Sequence, residues 1–293
     1  MKRIVNPTSD IFVRFLLGLE ENKPILIDFI NTILLDSEFE PAADLTILNP
    51  FNLKAVLDGK ESILDIKAED KTGRVFDVEI QVIGNASFVK RSLYYWAKNY
   101  HSQLKESEYY TKLKPVICIN ILDFIIFEDI KKAHSCFLAA EKDNPEYILS
   151  EDFQIHFFEL PKIDVENMET FKNRLEKWAY FFKNEGLLSE EEEMQVLIKN
   201  DSIMKQAHES YKKFTSSNEM LEIYEAREKR IKDEVSNIAF AREQGIEQGI
   251  EQGSYDKAVE TARRMLEKKF SIDDIAEITN LSPDKIVGLG NKK

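Results

Sequence analysis

The chain predicts an α/β core followed by an all-helical extension, and three stretches carry that prediction. Residues 63–82 alternate apolar and polar side chains as a hairpin does. Val116 to Phe124 is a nearly continuous apolar, β-branched run, the pattern of a central strand buried on both faces. Beyond about residue 165 the strand patterns stop and helical periodicity continues alone. At 293 residues there is room for one large domain and an appendage. The expected division is 1–185 and 186–293, within a change of pattern spread over 165–200.

Thr8 to Leu19 opens with polar residues and Asp10, then places Ile11, Phe12, Phe15, Leu16 and Leu19 at helical spacing, which predicts a first helix. A second runs from Lys23 to Leu35, with Pro24 near its start. Leu45 to Leu48 reads as a strand and Asn49-Pro50-Phe51-Asn52 as a turn. After the hairpin, Ser87 to Leu104 mixes aromatics with bases in the manner of a long amphipathic helix. Phe153 to Leu160 is a further strand, and Met168 to Phe182 and Glu190 onward are helical. The tail repeats Glu-Gln-Gly-Ile over 243–253, setting Gly245, Gly249 and Gly253 four apart. Such a stripe serves either as a soft hinge or as a face for close helix packing in an oligomer. Ala258 to Val287 reads as two or three short helices with helix-turn-helix pacing, with Ser271 as a cap.

A net charge of −13 argues against nonspecific coating of nucleic acid, which needs Lys and Arg to neutralise phosphate. Charge is local, however, because Lys90, Arg91, Lys98, Lys105, Lys112 and Lys114 outnumber the acids between Ala86 and Pro115. Cys118 and Cys136 are the only cysteines, which excludes a disulfide framework and a zinc spacing and fits a reducing cytosol. No stretch has the length and apolarity of a membrane span or signal segment, so a cytoplasmic protein without membrane contact is expected.

The chemistry concentrates in the hairpin. If the loop is Lys71-Thr72-Gly73, with Gly73 in the left-handed region, Asp70 faces Arg74, Lys67 faces Asp77 and Asp65 faces Glu79. The first two pairs support the register, whereas two carboxylates side by side destabilise a bare sheet. A divalent cation would supply the missing positive charge, and hard carboxylate oxygens suit Mg²⁺. An amphipathic hairpin with a solvated acidic face has the same spacing, and spacing alone leaves both readings open.

Three groups of residues match one known pattern. Asp10, Arg14 and Gly18 fall at positions of an N-terminal Asp-x-x-Phe-Lys-x-x-Phe-Gly helix, with Val13 and Leu17 in place of its aromatics. Asp65 and Glu79-Ile80-Gln81 match an Asp on one strand and Glu-x-Lys on the next, with Gln for Lys, and Arg91, Tyr95 and Tyr100 match an Arg-x-x-x-Tyr-x-x-x-x-Tyr helix. The ordered set resembles the PD-(D/E)XK nuclease superfamily, in particular its bacterial recombination-promoting, transposase-like branch. That resemblance implies a restriction-endonuclease-like core, a mixed central sheet flanked by helices. It further implies a metal-dependent DNA endonuclease, with Asp65, Glu79 and Gln81 catalytic and Mg²⁺, or Mn²⁺ in its place, held by Asp65, Glu79 and the Ile80 backbone carbonyl.

Asp10 is a candidate further ligand or a first-turn helix acid. Arg91, Tyr95 and Lys67 are candidate DNA contacts, Lys67 being equally a cross-strand partner of Asp77. The expected partners are DNA and further copies of the chain through the C-terminal helices. A protein of another class, which keeps the fold without catalysis and acts in DNA binding or oligomeric interaction, is the competing expectation.

Overall fold

The computed structural model describes residues 5–52, 65–84, 87–164, 170–186 and 191–290, with side chains described in all of these except 191–193. The expectations on Ile63, Leu64, Met168 and Glu190 lie outside the described residues. Helices α1 (Asp10–Gly18) and α2 (Lys23–Asp36) precede strands β1 (Leu45–Ile47), β2 (Asp65–Asp70) and β3 (Val75–Gln81). Then come helix α3 (Phe88–His101) and strands β4 (Val116–Leu122), β5 (His134–Ala140) and β6 (Ile148–Glu159). Helices α4 (Arg174–Asn184), α5 (Glu191–Ile198), α6 (Ser202–Ser216), α7 (Asn218–Glu267), α8 (Ile272–Thr279) and α9 (Pro283–Gly290) complete the chain.

The six strands form one mixed sheet in the order β1-β2-β3-β4-β6-β5. β4 runs parallel to both neighbours, β3 and β6, and every residue of it is buried, which is why its sequence lacks polar alternation. One face of the sheet presents Ile66, Ala68, Phe76, Val78, Ile119 and Phe158 to the main core, where Phe12, Phe29 and Trp178 also lie. The opposite face packs Phe88 of α3 on Val116, Cys118, Leu122, Ile155 and Phe157. This is the mixed sheet flanked by helices that the sequence predicts.

Two elements differ from expectation. β5 is an edge strand that no pattern announced, and β6 starts earlier than Phe153 to pair with it antiparallel. Its sequence, His134-Ser135-Cys136-Phe137-Leu138-Ala139-Ala140, has no clean polar-apolar contrast, and the pairing is irregular around Ala139. Inside this edge, Asp36 Oδ2 lies 2.7 Å from His134 Nδ1, His134 Nε2 lies 3.0 Å from His156 Nδ1, and His156 Nε2 lies 3.8 Å from Cys136 Sγ. Burial, and then the neighbouring His134, push the pKa of His156 down to about 3, so this imidazole is neutral in the folded protein.

The chain divides into two compact units, Met1–Ala226 and Arg227–Lys293. Trp178 of α4, Met204 and Phe214 of α6, and Leu221 share one apolar cluster with Phe12 and Phe29, so α4 to α6 belong to the first unit. A switch from strand to helix marks a change of layer here, not the end of a core. Trp178 illustrates the seam: its Nε1 donates to Asp28 Oδ2 at 3.0 Å and its ring stacks on Phe182 at 5.7 Å. Trp178→Phe should therefore lower the unfolding free energy of the first unit by about 1–3 kcal/mol in urea titrations, through a lost hydrogen bond and a small void.

In the second unit, Ala262, Ile275, Leu281 and Ile286 form a small core. Ser271 caps α8 as expected, its Oγ accepting from the Asp274 N–H at 3.1 Å.

Candidate active site

The hairpin register is fixed from its loop. Gly73 takes φ +90°, a conformation open to glycine, and its N–H donates to the Asp70 carbonyl at 3.0 Å. Asp70 Oδ1 accepts from the Thr72 N–H at 2.8 Å, the Thr72 hydroxyl at 2.6 Å and the Arg74 N–H at 3.0 Å, while Oδ2 accepts from Arg74 Nε at 2.7 Å. The resulting register sets Lys67 opposite Asp77 and Asp65 opposite Glu79.

Hydrogen-bond parity then decides how close the two carboxylates come. Val75 N–H donates to the Pro115 carbonyl and the Gln81 carbonyl accepts from Asp123, so odd residues of β3 direct their backbone groups at β4. Lys67, by the same reasoning, directs its backbone carbonyl toward Leu48 and away from β3. Asp65 and Glu79 are therefore a non-hydrogen-bonded pair, the type with Cα atoms about 4.5 Å apart and side chains closest. Even residues of β3 direct their backbone at β2, which puts the Ile80 carbonyl on the β2 side, one position past the Asp65–Glu79 pair. Two carboxylates on one face and a backbone carbonyl thus lie at adjacent positions at one end of the hairpin, and oxygen donors of this kind are the chemistry that suits Mg²⁺. Among the described residues no group of three or more His, Cys, Asp and Glu side chains could hold a metal.

Helix α3 closes over these strands. Arg91 Nη2 donates to Glu79 Oε1 at 2.8 Å and Gln81 Nε2 donates to the same oxygen at 3.1 Å. Both of these donors converge on Oε1. Two turns on, Asn99 Nδ2 donates to Asp77 Oδ2 at 2.5 Å and its Oδ1 accepts from Lys67 Nζ at 3.0 Å. Lys67 Nζ also lies 3.4 Å from Asp65 Oδ2. Its ion pair is thus with Asp65, and the expected cross-strand partnership with Asp77 runs through Asn99 instead.

Helical spacing sets Tyr95 between Arg91 and Asn99 on the same face of α3, whereas the Tyr100 hydroxyl donates to Asp152 Oδ2 at 2.8 Å and is structural.

The site is short of positive charge. Burial pushes the Glu79 carboxyl up to about 7, Arg91 opposing the rise while Asp77 and Asp65 add to it. Burial, reinforced by Asp65, likewise pushes Asp77 up to about 6. Asp77 Oδ1 and Arg91 Nε are buried without a hydrogen-bond partner among the described residues. Asp10 begins α1, where its Oδ1 accepts from the Ile11 N–H at 2.8 Å. Nearby Thr8 donates to Asp123 Oδ2 at 3.2 Å, and the Asp123 N–H donates to Gln81, so Asp10 stands at the same end of the sheet as the two carboxylates.

Several polar residues around the site carried no sequence motif. Asn99 was hidden in an amphipathic helix. Asn120 sits inside the apolar β4 run, accepting from Ser92 Oγ at 3.1 Å and donating to the His156 carbonyl at 3.0 Å. A lone amide within a buried strand was the available signal, since such a group must find partners on a covering element.

No helix among the described residues is long and apolar enough to cross a membrane. No curated protein and no solved structure matches the chain. A family model described as PD-(D/E)XK nuclease family transposase matches residues 7–241, a span that takes in the mixed sheet, the Asp65–Glu79 pair and α3. With the restriction-endonuclease-like core in place and most of the sequence matched, the chain belongs to the PD-(D/E)XK nuclease family transposases.

Proposed function

We propose that the chain is a divalent-metal-dependent DNA endonuclease, in which Asp65, Glu79 and the Ile80 carbonyl hold Mg²⁺, or Mn²⁺ in its place. The observation that carries this reading is the non-hydrogen-bonded Asp65–Glu79 pair, two carboxylates set side by side on one face of the hairpin. A bound divalent ion supplies Lewis acidity toward a phosphodiester oxygen and lowers the pKa of a coordinated water. The chain's own groups do the rest. Gln81 orients a water or a phosphate oxygen through its amide but adds no charge. Arg91, already at the carboxylates, provides the cation that a lysine at position 81 would have given. Tyr95 and Lys67 border the same face and contact the phosphate backbone, and Asp10 stands ready at the start of α1.

Assembly through the C-terminal helices belongs to the same reading. Ile238, Phe240, Ile246 and Ile250 are more than half exposed, and a Cβ added at Gly245, Gly249 or Gly253 would meet nothing within 4 Å. A second copy would cover such a stripe.

The test is an assay on supercoiled DNA, linear DNA and RNA of the same sequence with Mg²⁺, Mn²⁺ or EDTA. Cleavage of DNA that needs either metal is expected. Cleavage that survives EDTA, or DNA left intact with both metals, would sink the proposal.

A further inference from the structure

β1 ends at Ile47, opposite Ala68 and three positions short of Asp65. Leu48 still donates its N–H to the Lys67 carbonyl at 2.8 Å, and then the main chain turns away. A side chain continues the ladder. Asn49 Oδ1 accepts from the Lys67 N–H at 2.7 Å and its Nδ2 donates to the Asp65 carbonyl at 3.1 Å. A carboxamide carries one donor side and one acceptor side, as a peptide group does, so Asn49 stands in for the missing strand residue. Pro50 favours an extended backbone at Asn49, which aims the side chain along the strand edge.

What holds Asn49 there is α1. The guanidinium of Arg14, a residue only 1% exposed, donates through Nη2 to the Asn49 carbonyl. The turn is fastened again two residues later, where Phe51 donates its N–H to the Gly18 carbonyl at 2.8 Å. Gly18 also makes room for this arrangement, because a Cβ there would lie 2.6 Å from Arg14 Nη1. Two of the three matched positions on α1 therefore fasten the turn Asn49–Phe51, Arg14 at the Asn49 carbonyl and Gly18 at the Phe51 N–H.

Resting on the reading of Asp65 as a metal ligand, we propose that Asn49, anchored by Arg14, is the positioning residue of the site. It fixes the backbone of Asp65 so that the carboxylate faces Glu79 before any ion arrives. Without this clamp the outer edge of β2 at Asp65 would lose both hydrogen bonds. Outer-shell groups of this kind are worth about 10–100-fold in metal affinity.

The experiment is Mn²⁺ binding by calorimetry on full-length wild type, Asn49→Ala, Asn49→Ser and Asp65→Ala, with amide hydrogen exchange at Lys67. Asn49→Ala should bind Mn²⁺ about 10–100-fold more weakly than wild type, with Asn49→Ser in the same direction and usable if the alanine variant fails to fold. The Lys67 amide should be protected in wild type and exchange faster in both Asn49 variants. If Asp65→Ala abolishes binding while the folded Asn49 variants bind as wild type does, the positioning role is overturned and the ligand reading survives. If Asp65→Ala binds as wild type does, the ligand reading itself has failed. Rapid exchange at Lys67 in wild type overturns the clamp whatever the variants do.

Discussion

Glu79→Gln is expected to lose metal-dependent DNA cleavage by about a thousandfold or more and, at pH 8, to unfold at a higher temperature than wild type. The activity loss follows from removing one of two anionic ligands, a change of about 4 kcal/mol in barrier at about 1.4 kcal/mol per tenfold. The gain in stability follows from the raised pKa. A carboxyl pushed up to about 7 in the fold, against an ordinary value of 4.5 unfolded, binds more protons in the folded state between those values. Stability is therefore lost as pH rises from about 4.5 through 7, and by pH 8 the full penalty is present. A neutral amide escapes it, and with Arg91 then left without its anion the net gain is about 1–3 kcal/mol. Steady-state cleavage and thermal melting on one preparation check both halves. A variant both inactive and less stable would mark Glu79 as a structural residue.

The second large effect concerns acid. His156 is fully buried and neutral, with a pKa pushed down to about 3 from 6.5. Below pH 6.5 the unfolded chain takes up a proton that the folded chain refuses, so stability present above 6.5 is lost as pH falls toward 3. The slope is about 1.4 kcal/mol per pH unit, approaching about 5 kcal/mol over the window. Carboxylates titrate over part of the same range, which makes the difference from a variant the informative quantity. Urea unfolding of wild type and His156→Asn at several pH values between 7 and 4 should give curves that converge on acidification, wild type losing more. Parallel curves would place the acid sensitivity elsewhere.

The register of β2 and β3 was legible because two independent signals agreed: period-two alternation and the charge pairs Asp70–Arg74 and Lys67–Asp77. α1, α2, α3 and β4 were legible from periodicity, each burying one stripe or both faces. β5 was not, since an edge strand with a bulge needs no contrast between its faces. The end of the first unit rests on packing, because α4 to α6 have the same amphipathic pattern whether they cover a core or stand outside it. Within the site, sequence gave the ligand candidates but not their supports. Asn49 and Asn99 act through amide geometry, and an Asn in a turn or on a helix face has many bland uses. For Lys67 the sequence leaves two partners open, Asp77 across the strand and Asp65 on the same face, and its ammonium reaches along its own strand to Asp65 and up to Asn99.

The two ends of the hairpin also have unequal parts in folding. At the loop, Asp70 gathers bonds from Thr72 and Arg74, all within four residues, so that end can form with little loss of chain entropy. At the other end Asp65 and Glu79 repel one another, and the groups that hold this end, Arg91 at Glu79, Asn99 at Asp77 and Asn49 at the β2 backbone, arrive only when α3 and the Asn49 turn have docked. The hairpin therefore zips from Gly73 outward and closes last at the carboxylates. Substitutions at Asp70 should slow refolding, and those at Glu79 should chiefly change the unfolding rate.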